Sequence, residues 1–254
     1  MPRKARAIVR LPASRAATNS DGRAPRRRDP EAMRRRILDA ATAEFASHGF
    51  GGGRIERISR NAGTVDRMLY YHFGSKEDLF RAVLEDSYAR LGVAEQALDL
   101  AHLDPTEGMR ALIRFTWNYY LQNPEFIRLL NSENLHRGEH LKRARNVTRL
   151  SSPLLTILAD LLRRGAAQGS FRRGLDAVQV YLTIASLAYF YLSNRYTLSR
   201  FLGFDLMAAS EQRKWLRHIT GIVLNQIAAN GAALDMRAGA RGTRGRITRV
   251  KDRA

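Results

Sequence analysis

Cysteine is absent from the 254 residues. That excludes disulfides, thiolate metal centres and a cysteine nucleophile, and it removes any reason to expect an oxidising compartment. No apolar run reaches the roughly 18 residues a spanning helix needs, so no membrane segment is expected. Residues 1–28 lack the continuous apolar core of a secretory signal. No period-two alternation competes with helical spacing anywhere, and no internal repeat is visible, so the predicted class is all-α. Acidic residues are scarce: 24 Asp and Glu stand against 43 Lys and Arg, a net charge of +19. Hydrophobic residues make up 44% of the chain, enough for one or two domains with a real core.

The positive charge is unevenly spread. Residues 1–28 carry nine Lys/Arg against Asp21, and residues 237–254 carry seven against Asp252. Both ends therefore read as disordered basic arms, residues 1–28 and 231–254. Arms of this kind bind phosphate backbones without sequence preference, through release of counterions.

Between the arms, helix signals recur. Asp29-Pro30-Glu31 is a cap, a first-turn proline and a first-turn acid. Ile37, Ala41 and Phe45 form the inner stripe of the helix that follows, which Gly49 should end. Gly51-Gly52-Gly53 lacks the Gly-Lys-Ser/Thr that would make a phosphate loop, so it reads as a flexible connection. Residues 58–76, ISRNAGTVDRMLYYHFGSK, read as a helix, a turn at Gly63 and a second short helix. Leu69 and Phe73 face inward at i, i+4, leaving Asp66, Arg67, Tyr70, Tyr71 and His72 largely outside. Two helices joined by a short glycine-containing turn form the helix-turn-helix pattern that enters DNA major grooves. Ser75 caps a long fourth helix. Asp104-Pro105 and Asn123-Pro124 start two more, and Ser152-Pro153 breaks or restarts another. A helix is expected from about 175 to 199; near 175–195 it is apolar nearly all round and must be buried on most sides. A last helix carries Trp215, Ile219, Ile222, Val223 and Ile227.

The run from Ala62-Gly63 through Leu69-Tyr70-Tyr71-His72-Phe73-Gly74-Ser75-Lys76, with Arg36-Ile37-Leu38-Asp39-Ala40-Ala41, Phe45 and Gly49-Phe50 before it, resembles the N-terminal domain of TetR-family transcriptional regulators. The resemblance implies a helix-turn-helix DNA-binding domain at residues 29–75. A helical effector-binding and dimerisation domain would follow at residues 76–230. It assigns Tyr70, Tyr71, His72 and Lys76 to DNA contact. Lys76 at a helix start suits a phosphate. Arg67 can read guanine bidentately, and Met68 can pack on a thymine methyl. Arg54 can reach a backbone phosphate. Asp66 is unfavourable beside DNA unless it accepts from cytosine or orients Arg67. Thr64-Val65-Asp66-Arg67 departs from the Val-Ser-x-Gly of many relatives, and Gly53-Arg54 from their Thr pair, so the operator sequence is left open. Arginine-rich residues 1–28 also suit a mitochondrial transit peptide, but the resemblance points to a bacterial-type cytoplasmic regulator, nucleoid-associated when bound to DNA.

The resemblance further implies a homodimer on a palindromic operator, joined through a four-helix interface of the 175–195 helix and the last one. It also implies a pocket for a small-molecule effector, with Phe115, Trp117, Tyr120, Asn131, Glu133, Asn134 and Tyr181 as candidate lining. No enzyme activity, cofactor or metal is expected. The motif His136-Arg137-Gly138-Glu139-His140 has the H-x-x-E-H form of some zinc peptidases. Gly138 interrupts it, which leaves a metal-dependent hydrolase a remote alternative. A nearer one is an architectural DNA binder driven by the basic arms.

Overall fold

The computed structural model describes residues 29–144 and 153–229. The expected basic arms lie outside the described residues. Helices α1 (Pro30–Gly52), α2 (Ile55–Asn61), α3 (Asp66–Phe73) and the first half of α4 (Lys76–Gln96) form the N-terminal unit. They are followed by α5 (Pro105–Gln122), α6 (Pro124–Leu135), a single turn α7 (Glu139–Lys142) and α8 (Pro153–Ala167). Next come α9 (Ala177–Ser193), α10 (Arg195–Leu202) and α11 (Ala209–Ile227). Among the described residues no strand forms; Phe171 and Ala228 make one isolated bridge, which clasps the 169–174 turn to the end of α11.

The helix starts are where the caps put them. Asp29 accepts from the Glu31 amide and Asp104 from those of Thr106 and Glu107. Ser75 Oγ accepts from the Asp78 amide at 3.0 Å and donates to the Asp78 carboxylate at 2.8 Å. Such caps satisfy amides that a helix start leaves without intrahelical partners.

Two cores result. The N-terminal core packs Ile37, Phe45, Ile58, Leu69 and Phe80, and is closed from the other side by Leu129 of α6. The second packs Leu112, Trp117, Leu158, Ile184 and Val223 from α5, α8, α9 and α11. Helix α4 serves both: Leu79, Phe80, Val83 and Leu84 belong to the first core and Leu91 to the second.

Two expectations are corrected. Gly51–Gly53 is not a flexible connection. Gly49, at φ +67°, breaks α1, and a further turn runs to Gly52. Gly53 then packs so closely that a Cβ would lie 2.5 Å from the Phe45 ring. The helix expected to run from about 175 to 199 divides at Asn194, whose side-chain amide donates to the Phe190 carbonyl and so competes with helix continuation. Within the single chain, α9 keeps one side open. Val178, Leu182 and Phe190 stay 50–57% exposed along one ridge.

Candidate nucleic-acid interface

Helix α3 crosses α2 through a corner at Gly63, φ +64°, where only glycine avoids strain. The corner is fixed by the Thr64 amide on the Ser59 carbonyl at 2.9 Å. Leu69 is fully buried and Phe73 part-buried beneath the guanidinium of Arg34, 5.0 Å from its ring. Arg67, Tyr70 and Tyr71 then stand exposed on one side of the helix, at i, i+3 and i+4. Tyr71 is 77% exposed. Arg54 is exposed at the start of α2. These residues form an open basic and aromatic face.

The other expected contacts are placed differently. Asp66 accepts from the Ser59 hydroxyl through one carboxylate oxygen, which ties α3 to α2. Met68 packs, part-buried, against the N-terminal core. His72 is part-buried, and its Nε2 is enclosed with no hydrogen-bond partner among the described residues. Lys76 Nζ lies 4.9 Å over the Phe50 ring, a cation–π contact that pins the ammonium beside the α4 N-terminus while leaving it part-exposed.

Sequence reasoning missed what holds this face rigid. Glu44 is buried, yet its carboxylate accepts from the Arg54 amide at 2.9 Å and from Arg57 at 2.8 and 2.5 Å. Burial alone would raise its pKa, but the Arg57 and Arg54 hydrogen bonds, with His48 nearby, hold it below the usual carboxylate range. Glu44 thus fixes the start of α2. The available signal was a carboxylate three residues after Ala41, on the buried stripe.

A second buried glutamate does the same on the regulatory side. Glu133 accepts from the His140 and Leu141 amides at 2.9 and 3.0 Å and from His140 Nδ1 at 2.7 Å. It caps the single turn α7. His140 rests against Phe50 and Phe80, and His136 Nδ1 meets the Ser132 carbonyl at 2.8 Å. Arg137 and Gly138 both take positive φ, so H-x-x-E-H does not lie on one helix, and Glu139 pairs with Lys142 at 2.6 Å. Among the described residues no His/Asp/Glu group has the arrangement of a metal site.

The regulatory helices enclose a cavity of about 320 Å³ between the second half of α4, the start of α8 and α9. Tyr88, Leu91, Gly92, Glu95, Pro153 and Tyr181 line it. Of the residues expected there, Tyr181 alone is on the wall. Tyr120 lies behind it, hydrogen-bonded to Tyr181. Trp117 is core, Phe115 is half-buried against that core, and Asn134 is exposed. Asn131 accepts from Tyr189 and Ser193, joining α6 to α9. Burial pushes the Tyr88 phenol up to about 12, and it raises Tyr120 and Tyr181 as well. All three remain neutral, offering rings and O–H donors to a ligand.

A helix-turn-helix with an exposed basic and aromatic second helix, tied by one long helix to an all-α unit with its own cavity, defines a DNA-binding transcription regulator. Residues 37–83 match the family model for bacterial regulatory proteins of the tetR family, and residues 105–223 match the tetracyclin repressor-like C-terminal domain. The chain is 44% identical over 199 residues to the HTH-type transcriptional repressor NicS of Pseudomonas putida, spanning 78% of this chain and 94% of that one. It is 29% identical over 153 residues to the repressor KstR2 of Mycolicibacterium smegmatis, across 60% and 74% of the two chains. Its fold is that of a putative transcriptional regulator, SCO4942, from Streptomyces coelicolor: TM-score 0.56, 24% identity, 77% of this chain and 98% of that one. The chain belongs to the TetR family of bacterial transcriptional regulators.

Proposed function

We propose that the protein is a homodimeric repressor that holds a palindromic operator with two copies of α3 and releases it when a small molecule enters the α4–α8–α9 cavity. The observation that carries this is the pairing of two exposed faces in one chain. One is the basic and aromatic face of α3. The other is the apolar ridge of α9, continued by Ile222 of α11 at 37% exposure. An apolar ridge of this kind on a water-facing helix marks a protein contact. A second copy of the chain supplies the matching ridge under two-fold symmetry, which gives a four-helix contact and two reading heads.

Arg67 is assigned to a guanine edge, Tyr70 and Tyr71 to backbone and base contacts, and Arg54 and Lys76 to phosphates. Neither enzyme activity nor a cofactor is part of this reading, and the protein acts in the bacterial cytoplasm. Ligand entry works only through a difference in affinity between two states of the dimer. Helix α4 is the element both sites share.

The test is selection of bound sequences from a random duplex pool at about physiological salt, where non-specific binding is weak. The full chain should enrich a palindrome whose half-sites lie about one helical turn apart. Binding without enrichment would replace this reading with that of an architectural protein held by its basic arms.

A further inference from the structure

The residues that open α3 differ in what they can still offer a base. The Asp66 carboxylate is taken by Ser59, and Met68 is packed on the core. Val65 is the reverse case. It is 64% exposed and so free to contact a partner. Its backbone is held on both sides, by the Thr64 amide on Ser59 and by its own carbonyl on the Met68 amide, each at 2.9 Å. β-Branching restricts its χ1 as well, so the isopropyl group is presented in a fixed position. It is the N-cap of α3, where the chain turns into the helix.

We infer that Val65 is a specificity-determining residue that reads a thymine 5-methyl group in each half-site, the role that sequence spacing gave to Met68. In the major groove thymine alone presents a methyl, so an apolar group there has one favourable complement. The Ser59–Asp66 bond is then a positioning device. It neutralises the demand of a carboxylate for a donor and holds the corner from which Val65 projects. The inference rests on the DNA-reading function proposed above.

The test uses the full chain and the operator duplex enriched from a random pool. Each dT is replaced by dU in turn, which removes only the methyl group. The expected result is one symmetry-related dT pair at which each replacement weakens binding about 4-fold, the value of one buried methyl. The Val65→Ala chain should bind the unmodified duplex less tightly and show no penalty at that pair, while keeping its preferences elsewhere. Met68→Leu should leave the penalty in place. Thermal unfolding of Val65→Ala should match the parent, since the side chain is exposed. A dU penalty unchanged in Val65→Ala, or the absence of any methyl-sensitive dT, overturns the inference while leaving the DNA-reading function intact. A pool from which no site enriches overturns both.

Discussion

The N-terminal unit and the regulatory helices treat their surfaces in opposite ways. In α1–α3 most apolar side chains are consumed: Leu69, Ile58 and Phe45 are buried, Val65 at the α3 N-cap is the exception, and what α3 itself leaves outside is mainly arginine and tyrosine. In α9 the core takes Val180, Ile184 and Ala188, yet Val178, Leu182 and Phe190 remain in solvent. One half of the molecule is finished within a single chain; the other leaves apolar area open, which the proposed dimer contact would cover. In the proposed dimer the finished half would hold a reading head, and the unfinished half would set how two heads are spaced.

Breaking the unfinished half should have the largest effect. Leu182→Glu together with Phe190→Glu places carboxylates in the proposed contact, where each unpaired buried charge costs several kcal/mol. The dimer dissociation constant should rise by about 100-fold or more, read by sedimentation, with helix content unchanged. The finished half breaks differently. Gly53→Ala drives a Cβ to 2.5 Å from Phe45 and should cost about 2 kcal/mol of stability by overpacking. Gly51→Ala, with nothing within 4 Å, should cost nothing, so thermal unfolding of the two sharpens the contrast.

Glu44→Gln comes next, at about 1.5 kcal/mol, from loss of charge-assisted hydrogen bonds to Arg57. Its pH dependence has a definite sign. The folded pKa of Glu44 is depressed, so its contribution is full above the ordinary carboxylate value and disappears as pH falls through the folded one. The stability difference between parent and Glu44→Gln should therefore close in acid and be constant near neutral pH. Smallest is the Arg35–Asp39–Asp86–Arg90 network joining α1 to α4 at 2.6–3.0 Å. Arg35→Ala should cost under about 1 kcal/mol and less in high salt, because exposed ion pairs are weak and screened.

The same contrast decides what could be read from the sequence. Caps at Asp29, Ser75 and Asp104, the turn at Gly63 and the inward Leu69 follow from local rules and stand as expected. So do the exposed Arg67, Tyr70 and Tyr71, because helical spacing fixes a face once the inner side is known. Side chains whose role depends on a distant partner were not legible. Ser59 withdraws Asp66, Glu133 is claimed by α7, and Glu44 is buried only because Arg57 and the Arg54 amide meet it there. The cavity was least legible of all. Trp117 and Phe115 have the spacing of pocket aromatics and of core aromatics alike, and only packing separates the two. Apolar spacing also predicted burial for α9, because a single sequence does not say whether its own chain or a second copy covers a ridge.

The account turns on whether dimerisation through α9 and α11 is what makes α3 an operator reader. The direct measurement compares binding to the selected palindrome with binding to an isolated half-site, for the parent chain and for Leu182→Glu/Phe190→Glu. The account predicts that the parent prefers the palindrome by about 100-fold or more, as linked binding requires, and that the variant shows no preference. A variant that keeps the parent's preference, or a parent that has none, would contradict it.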